Sequence, residues 1–342
     1  MNITYNFENT IFLLTLIFLF INFFYVKVVE MNFQERNIKK IVDYLNVLRT
    51  DGGIGGNGLG KKPYSKIHRK LLFLYLNIRT FLTGKVSIAY MDFNVTTRCS
   101  LNCKDCCHAM PLYKNSTHVL YNIDTFKKDV NLLLNSVDII YDFEFLGGEP
   151  MLVPDLYKMI QYAATKNQIK NMTMYTNGTV VPSKELLLAM SGARNFLLCI
   201  SNYSSNPKLS ALLKHEEIIS LCKKYNIRYH LFPKDKKWIK TDRLYKHNRT
   251  QKELLNEWQQ CWQRDNLVFC DGKLYACQKS LAIERNLGAK FLEYETVDFR
   301  NDKNARKSLK KFFSLPYISA CDYCQSDKTK FVSPALQKTR QR

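Results

Sequence analysis

From Lys85 onward, short apolar runs alternate with segments whose apolar residues recur every three to four positions. "VSIAYMDFNVT" (86–96) predicts a strand, "IDTFKKDVNLLLNSV" (123–137) an amphipathic helix, and "IIYDFEFLGGEP" (139–150) a second strand. The alternation continues through helix "LVPDLYKMIQYAATKN", strand "NMTMYTNGT", helix "SKELLLAMSGA", strand "FLLCISNY", helix "NPKLSALLKHEEIISLCKKYN" and strand "IRYHLFP". Strands linked through helices at this spacing pair in parallel, which predicts an α/β fold. Ligands gather at the carboxyl ends of such strands, and that edge carries Cys99, Gly147, Asn177 and Ser201.

The chain before Lys85 follows a different pattern. Thr10 to Val29 is apolar for about the length of a membrane span, interrupted by Thr15 and Asn22 and closed by Lys27. No basic stretch precedes it and no small-residue cleavage pattern follows, which argues against a removed signal peptide. Two readings stand: an uncleaved anchor that keeps a basic body on the cytoplasmic face of the membrane, or a true start at Met31. Residues 31–85 read as a helical, basic extension broken by "DGGIGGNGLG" (51–60). That stretch lacks the Lys-Ser/Thr ending of a phosphate loop and follows no strand pattern, so it reads as a flexible linker.

Composition narrows the classes. A chain of 342 residues, 46% of them hydrophobic, can bury a sizeable core and is not a disordered tail. The formal charge of +21 is spread along the chain, thickest in 233–252 and in the closing "QKTRQR". It reads as a solvated basic surface, and a nucleic-acid partner is not expected. Eleven cysteines cannot all pair within one chain, and their clustering points to metal or redox chemistry in a reducing cytoplasm.

Four of those cysteines fall within nine residues: Cys99, Cys103 and Cys106 in CxxxCxxC spacing, with Cys107 duplicating the last position. Three thiolates from one tight loop can hold three irons of a cubane 4Fe-4S cluster and leave the fourth open. Zinc, with Cys107 or His108 as fourth ligand, is the alternative. The next strand ends in "FLGGEP" (145–150), where two glycines allow close backbone approach to a ligand.

CxxxCxxC after one strand and GGEP after the next resembles the radical S-adenosylmethionine (SAM) superfamily, over residues from about 86 to 330. The resemblance implies a partial (β/α)6 TIM-like barrel with a small C-terminal α+β iron-sulfur domain and, here, a helical N-terminal extension. It implies a 4Fe-4S cluster on Cys99, Cys103 and Cys106, with SAM on its open iron. Reductive cleavage of SAM then yields a 5′-deoxyadenosyl radical that abstracts substrate hydrogen. Gly147, Gly148 and Glu149 match the segment that meets the SAM amine; Thr176, Asn177, Ser201 and Asn202 lie where the family contacts the carboxylate and ribose. A turn-forming Asn-Gly or a capping Ser would give the same letters at these last four. Asp105 departs from the aromatic residue usual before the third cysteine.

Farther on, Cys261, Gly272 and Cys277 resemble the opening of the superfamily's twitch or SPASM domain, and "CDYC" adds Cys321 and Cys324. Cys261, Cys277, Cys321 and Cys324 are then expected to hold a second, auxiliary 4Fe-4S cluster, with a zinc ribbon as the alternative and Cys270 as a rival ligand. "LVFCDGKLYAC" reads as a hairpin turning at Asp271-Gly272. Cys199 and Cys222 read as small buried hydrophobes. His108 and His118 have no visible partner, and no catalytic acid or base is named.

The expected organisation is 1–30 anchor or mis-assigned start, 31–85 extension, 86–255 core, 256–330 auxiliary cluster domain and 331–342 basic tail. The expected function is a radical SAM enzyme that modifies or oxidises an organic, carbohydrate-like substrate, with an electron donor such as flavodoxin or ferredoxin. Alternatives are modification of a ribosomal peptide, or a metal-stabilised RNA-binding protein without catalysis.

Overall fold

The computed structural model describes residues 66–338 apart from 235–236, 242–243, 262, 264–265 and 325. The apolar run at 10–29, Met31 and the glycine-rich stretch at 51–60 lie outside the described residues. Among the described residues, no helix is long and apolar enough to cross a membrane.

Helix α1 (Lys66–Thr83) ends at Gly84, whose φ of 64° suits a residue without Cβ, and leads into β1 (Ser87–Thr96). Then follow α2 (Ile123–Ser136), β2 (Ile139–Gly147), α3 (Leu156–Ala164), β3 (Ile169–Thr176), α4 (Lys184–Gly192), β4 (Phe196–Ile200), α5 (His215–Lys224) and β5 (Tyr229–Leu231). The later part contains β6 (Trp238–Thr241), α6 (Gln251–Gln259), β7 (Asn266–Cys270), β8 (Lys273–Tyr275), α7 (Gln278–Leu287), β9 (Thr296–Asp298), α8 (Ala305–Ser314) and β10 (Ser326–Val332).

The main sheet has the order β5-β4-β3-β2-β1-β7-β8-β9. Strands β1 to β5 are parallel neighbours in sequence order, and β7 joins β1 in parallel on its other side. This is the α/β partial barrel expected, with one refinement: its sixth parallel strand comes from the hairpin of the later segment and lies beside β1. The described residues accordingly belong to one compact unit. The Asp271-Gly272 turn, with φ of 52° and 78°, closes β7 onto β8 as two left-handed residues require.

Both faces of a parallel sheet are covered, and β1 is buried at nine of its ten positions. One face carries Met91, Phe93 and Val95 of β1 and Phe143 and Phe145 of β2, packed in the main core with Phe126, Val130 and Leu133 of α2. Phe93 meets Phe126 edge-on at 4.9 Å and stacks on Phe143 and Phe269 at 5.2 and 5.0 Å. An ion-pair network anchors the hairpin to this core. Arg300 donates to both oxygens of the buried Asp129 of α2 at 2.8 and 2.7 Å and to Asp271 at 2.8 Å, and Arg285 reaches Asp271 at 3.0 Å.

The segment 206–226, expected as one helix, is broken into a 3₁₀ stretch (Pro207–Leu212) and α5. Its two halves bury different faces. Leu209 packs with Leu101, Cys103 and Ala335, whereas Ile218 and Cys222 enter the main core. One straight helix would present both sets along a single stripe.

Candidate metal centre

The cysteine loop leaves the carboxyl end of β1 and is pinned there by the end of β2. Gly148 N donates to Thr96 O at 2.8 Å and Glu149 N to Arg98 O at 2.9 Å. The approach is so close that a Cβ on Gly147 would stand 1.8 Å from Thr96 O, and one on Gly148 would stand 1.9 Å from Arg98 O. The two glycines therefore serve first to lay one strand end against the root of the loop. The His108 ring hydrogen-bonds the Gly147 backbone, and burial lowers its pKa.

Within the loop, Cys99, Cys103 and Cys106 lie within electrostatic reach of one another, and Cys107 lies beside Cys103 and Cys106. Burial pushes the Cys99 thiol up to about 11 and those of Cys103 and Cys106 up to about 12. Thiols so reluctant to ionise become thiolates when a cation takes the proton's place. Among the described residues, no three Cys, His, Asp or Glu side chains surround a single-ion position. Two amides are directed at the sulfurs. Asn177 Nδ2 donates to Cys99 Sγ at 3.6 Å, and Gln337 Nε2 donates to Cys103 Sγ at 3.3 Å.

Gln337 belongs to the stretch read from sequence as a basic tail. Its first residues finish β10, which pairs with β6, and the chain then returns over the cysteine loop. Cys103 and Gln337 form an antiparallel bridge; Lys104 N donates to Leu336 O at 2.6 Å and Lys338 N to Asn102 O at 2.8 Å. Gln337 Oε1 accepts from Asn102 N at 2.7 Å, and Asn206 Nδ2 donates to Ala335 O at 2.9 Å. Ala335 is fully buried, so residues 335–338 form a strap rather than a free end.

The remaining residues singled out from sequence converge on the same rim. Glu149 is buried and accepts from Thr176 Oγ1 at 2.9 Å, Asn177 N at 2.8 Å and Met151 N at 3.2 Å. Burial outweighs these donors and lifts its pKa to about 7. Glu149 thus holds the Thr176-Asn177 turn in place, and Asn177 Nδ2 also reaches Ser100 Oγ at 2.9 Å. Ser201 N donates to Thr176 O at 2.9 Å and Ser201 O bonds His215 Nε2 at 3.1 Å, while Asn202 Oδ1 accepts from Ser204 N at 3.1 Å.

A second group of thiols lies in the later segment. Cys261 follows α6, Cys277 caps α7, and Cys321 and Cys324 lie on and just after a 3₁₀ turn (Ser319–Tyr323). Their electrostatic contacts link Cys261 with Cys277 and Cys324, and Cys321 with all three of the others. Burial raises Cys261 to about 11 and drives Cys277 and Cys321 upward too. Cys270 is elsewhere, enclosed with Arg285, Asp271, Asp129 and Arg300. Lys279 Nζ donates to Cys324 Sγ at 3.1 Å; burial opposes its charge, but Cys324 and Cys277 hold its pKa above the usual lysine value.

No family model matches the chain. It is 26% identical over 148 residues to a GTP 3′,8-cyclase of Clostridium acetobutylicum, covering 42% of this chain and 45% of that protein. It is 32% identical over 98 residues to a GTP 3′,8-cyclase of Clostridium botulinum, covering 28% of this chain and 29% of that one. The matched stretch thus spans less than half the length of these relatives. Among solved structures, BtrN in complex with AdoMet and 2-DOIA aligns over 73% of this chain and 97% of its own, at 13% identity and a TM-score of 0.42. This part-length similarity agrees with the resemblance to the radical SAM superfamily read from the cysteine and glycine motifs.

The motifs read from sequence left out the polar residues on the inner face of the barrel. Asp92 and Asn94 of β1, Asp142 and Glu144 of β2, Asn171 and Thr173 of β3, and His230 of β5 are all buried. Register aligns Asp92 with Glu144 and Glu144 with Thr173, and it places Asp142 beside Asn171. From α7, Gln278 Nε2 donates to Asp92 Oδ2 at 2.9 Å and to Asn94 Oδ1 at 3.0 Å. A signal was present in sequence. "YMDFN", "YDFEF" and "NMT" place a polar side chain at every second position of strands that a parallel sheet buries on both faces, so those side chains must line an interior.

Proposed function

We propose that the chain is a radical SAM enzyme that takes hydrogen from a small organic substrate held at the carboxyl end of the barrel. The observation that carries this reading is the convergence of Cys99, Cys103 and Cys106 with the Gly147–Glu149 segment at the adjoining ends of β1 and β2. Three thiols from one loop, Cys103 buried and Cys99 and Cys106 half-buried, two of them met by amide donors, suit three corners of a 4Fe-4S cluster and leave its fourth iron for SAM. When bound, that pair supplies a carbon-centred radical able to take a hydrogen atom, with flavodoxin or ferredoxin as the electron source.

The chain's own residues have defined tasks in this reading. The Cys103–Gln337 bridge shields the loop from water, and Asn177 and Gln337 steady its sulfurs. Glu149 holds the Thr176-Asn177 turn against the loop, and Asp92, Glu144 and Thr173 offer polar groups to a substrate in the barrel. Cys261, Cys277, Cys321 and Cys324 would hold a second cluster with every corner filled by protein, which suits electron transfer over substrate ligation. An oxidation is the outcome this favours, and a carbohydrate-like substrate suits a polar lumen.

The test is anaerobic reconstitution with iron and sulfide, followed by SAM and dithionite. Roughly eight irons per chain are expected, with formation of 5′-deoxyadenosine. Replacing all four later cysteines should leave roughly four irons and continued 5′-deoxyadenosine formation. A native chain that binds iron but never cleaves SAM would refute the enzyme.

Gln337→Ala removes the donor to Cys103 Sγ and the acceptor for Asn102 N. It is expected to cost about 1–2 kcal/mol of stability in urea unfolding. It should also lower the reduction potential of the first cluster, because a hydrogen bond to sulfur favours the more negative, reduced state. An unchanged potential in an EPR-monitored titration would remove Gln337 from that role.

A further inference from the structure

A cavity of about 370 Å³ lies between the two thiol groups, lined by Lys104, Asp105, Cys106, Thr241, Lys279 and Lys338 among others. Cys106 joins it to the first group, and Lys279, through its bond to Cys324, joins it to the second. Its volume is in the range of sites for small molecules.

The charge on its walls is one-sided. Lys104 comes from the cysteine loop, Lys279 from the start of α7 and Lys338 from the strap, against a single carboxylate, Asp105. The backbone bonds Lys104 N to Leu336 O and Lys338 N to Asn102 O place the first and last of these on adjacent strands around the Cys103–Gln337 bridge. These two lysines are diagonal neighbours across the bridge, and like charges on neighbouring strands repel unless an anion joins them. Among the described residues, neither Lys104 nor Lys338 makes an ion pair. On the same wall the buried Thr241 Oγ1 has no hydrogen-bond partner. Leu112 and Leu244 supply an apolar side for a carbon skeleton.

We infer that this cavity binds the substrate through an oxyanion, a phosphate or carboxylate gripped by Lys104 and Lys338, with Lys279 and Thr241 completing the donors. The inference deepens the proposed enzyme and rests on it for the word substrate; the anion site itself does not. The overall charge of +21 would draw such a ligand toward the molecule.

The test uses the reconstituted full chain with SAM present. Equilibrium dialysis is run with glycerol phosphate, with glutarate and with neutral glycerol; the first two separate phosphate from carboxylate. One anion should bind at one per chain and glycerol should not. Lys104→Gln and Lys338→Gln should each weaken it by about tenfold, the value of one charge-assisted hydrogen bond, and Lys127→Gln on α2 should have no effect. Absence of anion binding, indifference to both substitutions, or displacement of the anion by SAM would overturn the inference. The native chain's 5′-deoxyadenosine yield is measured alongside. Cleavage without anion binding sinks the anion site alone, whereas anion binding without cleavage sinks the enzyme and leaves the site standing.

Discussion

Cys106→Ala is expected to lose the iron of the first cluster and with it all cleavage of SAM, whereas Cys107→Ala should keep both. The two thiols are chain neighbours, so any difference must come from placement. Cys106 is within electrostatic reach of Cys99 and Cys103, its sulfur accepts from the amides of the Met110 turn, and burial raises it to about 12. Cys107 in the ligand set would lengthen the second interval of CxxxCxxC by one residue. Removing one of three protein corners from a cubane leaves two irons without protein ligands, an effect far larger than loss of a bystander thiol. Iron content, the absorbance of the reconstituted protein and 5′-deoxyadenosine yield check the pair. Equal iron loss in both variants would show that the assignment is wrong.

The second large effect is expected at Gly148, where no cluster ligand is touched. A Cβ there meets Arg98 O at 1.9 Å and Arg98 C at 2.4 Å, and both are backbone atoms that no rotamer change can move. Gly148→Ala must therefore push the end of β2 off the root of the cysteine loop. That breaks the bonds from Gly148 N to Thr96 O and from Glu149 N to Arg98 O. The expected cost is about 3 kcal/mol or more, at the upper end for overpacking, together with loss of the first cluster. Gly192→Ala is the matched control. Nothing lies within 4 Å of its Cβ position, at the last turn of α4, so a change within about 1 kcal/mol is expected. Urea unfolding of both variants decides it, and a Gly148→Ala protein as stable as the native chain would contradict the close approach.

The glycines have a structural task beside the ligand contact that the motif suggests. The letters "GGEP" suggested backbone held open for a ligand. In the fold, Gly148 N is already occupied by Thr96 O and Glu149 N by Arg98 O, and what the glycines approach is the cysteine loop. Glu149 likewise spends its carboxylate on Thr176, Asn177 and Met151. Met151 is local, but Thr176 and Asn177 lie 27 and 28 positions away, so no local pattern could have revealed them.

The amino-acid sequence by itself determined the order of strands and helices from β1 to β5, apart from the break within 206–226, because period-two and period-3.6 burial are properties of neighbouring residues. It also determined the spacing of Cys99, Cys103 and Cys106 on one loop, and the Asp271-Gly272 turn that folds β7 back on β8. Tertiary structure alone decided which distant residues meet. It placed β7 beside β1, grouped Cys277 with Cys261, Cys321 and Cys324 while leaving Cys270 apart, and brought Gln337 to Asn102 across 235 positions of chain. It also turned the alternating polar residues of β1 to β3 into one buried lining. The reason is physical: propensity and periodicity act over a few residues, whereas these pairings come from the packing of whole elements against one core.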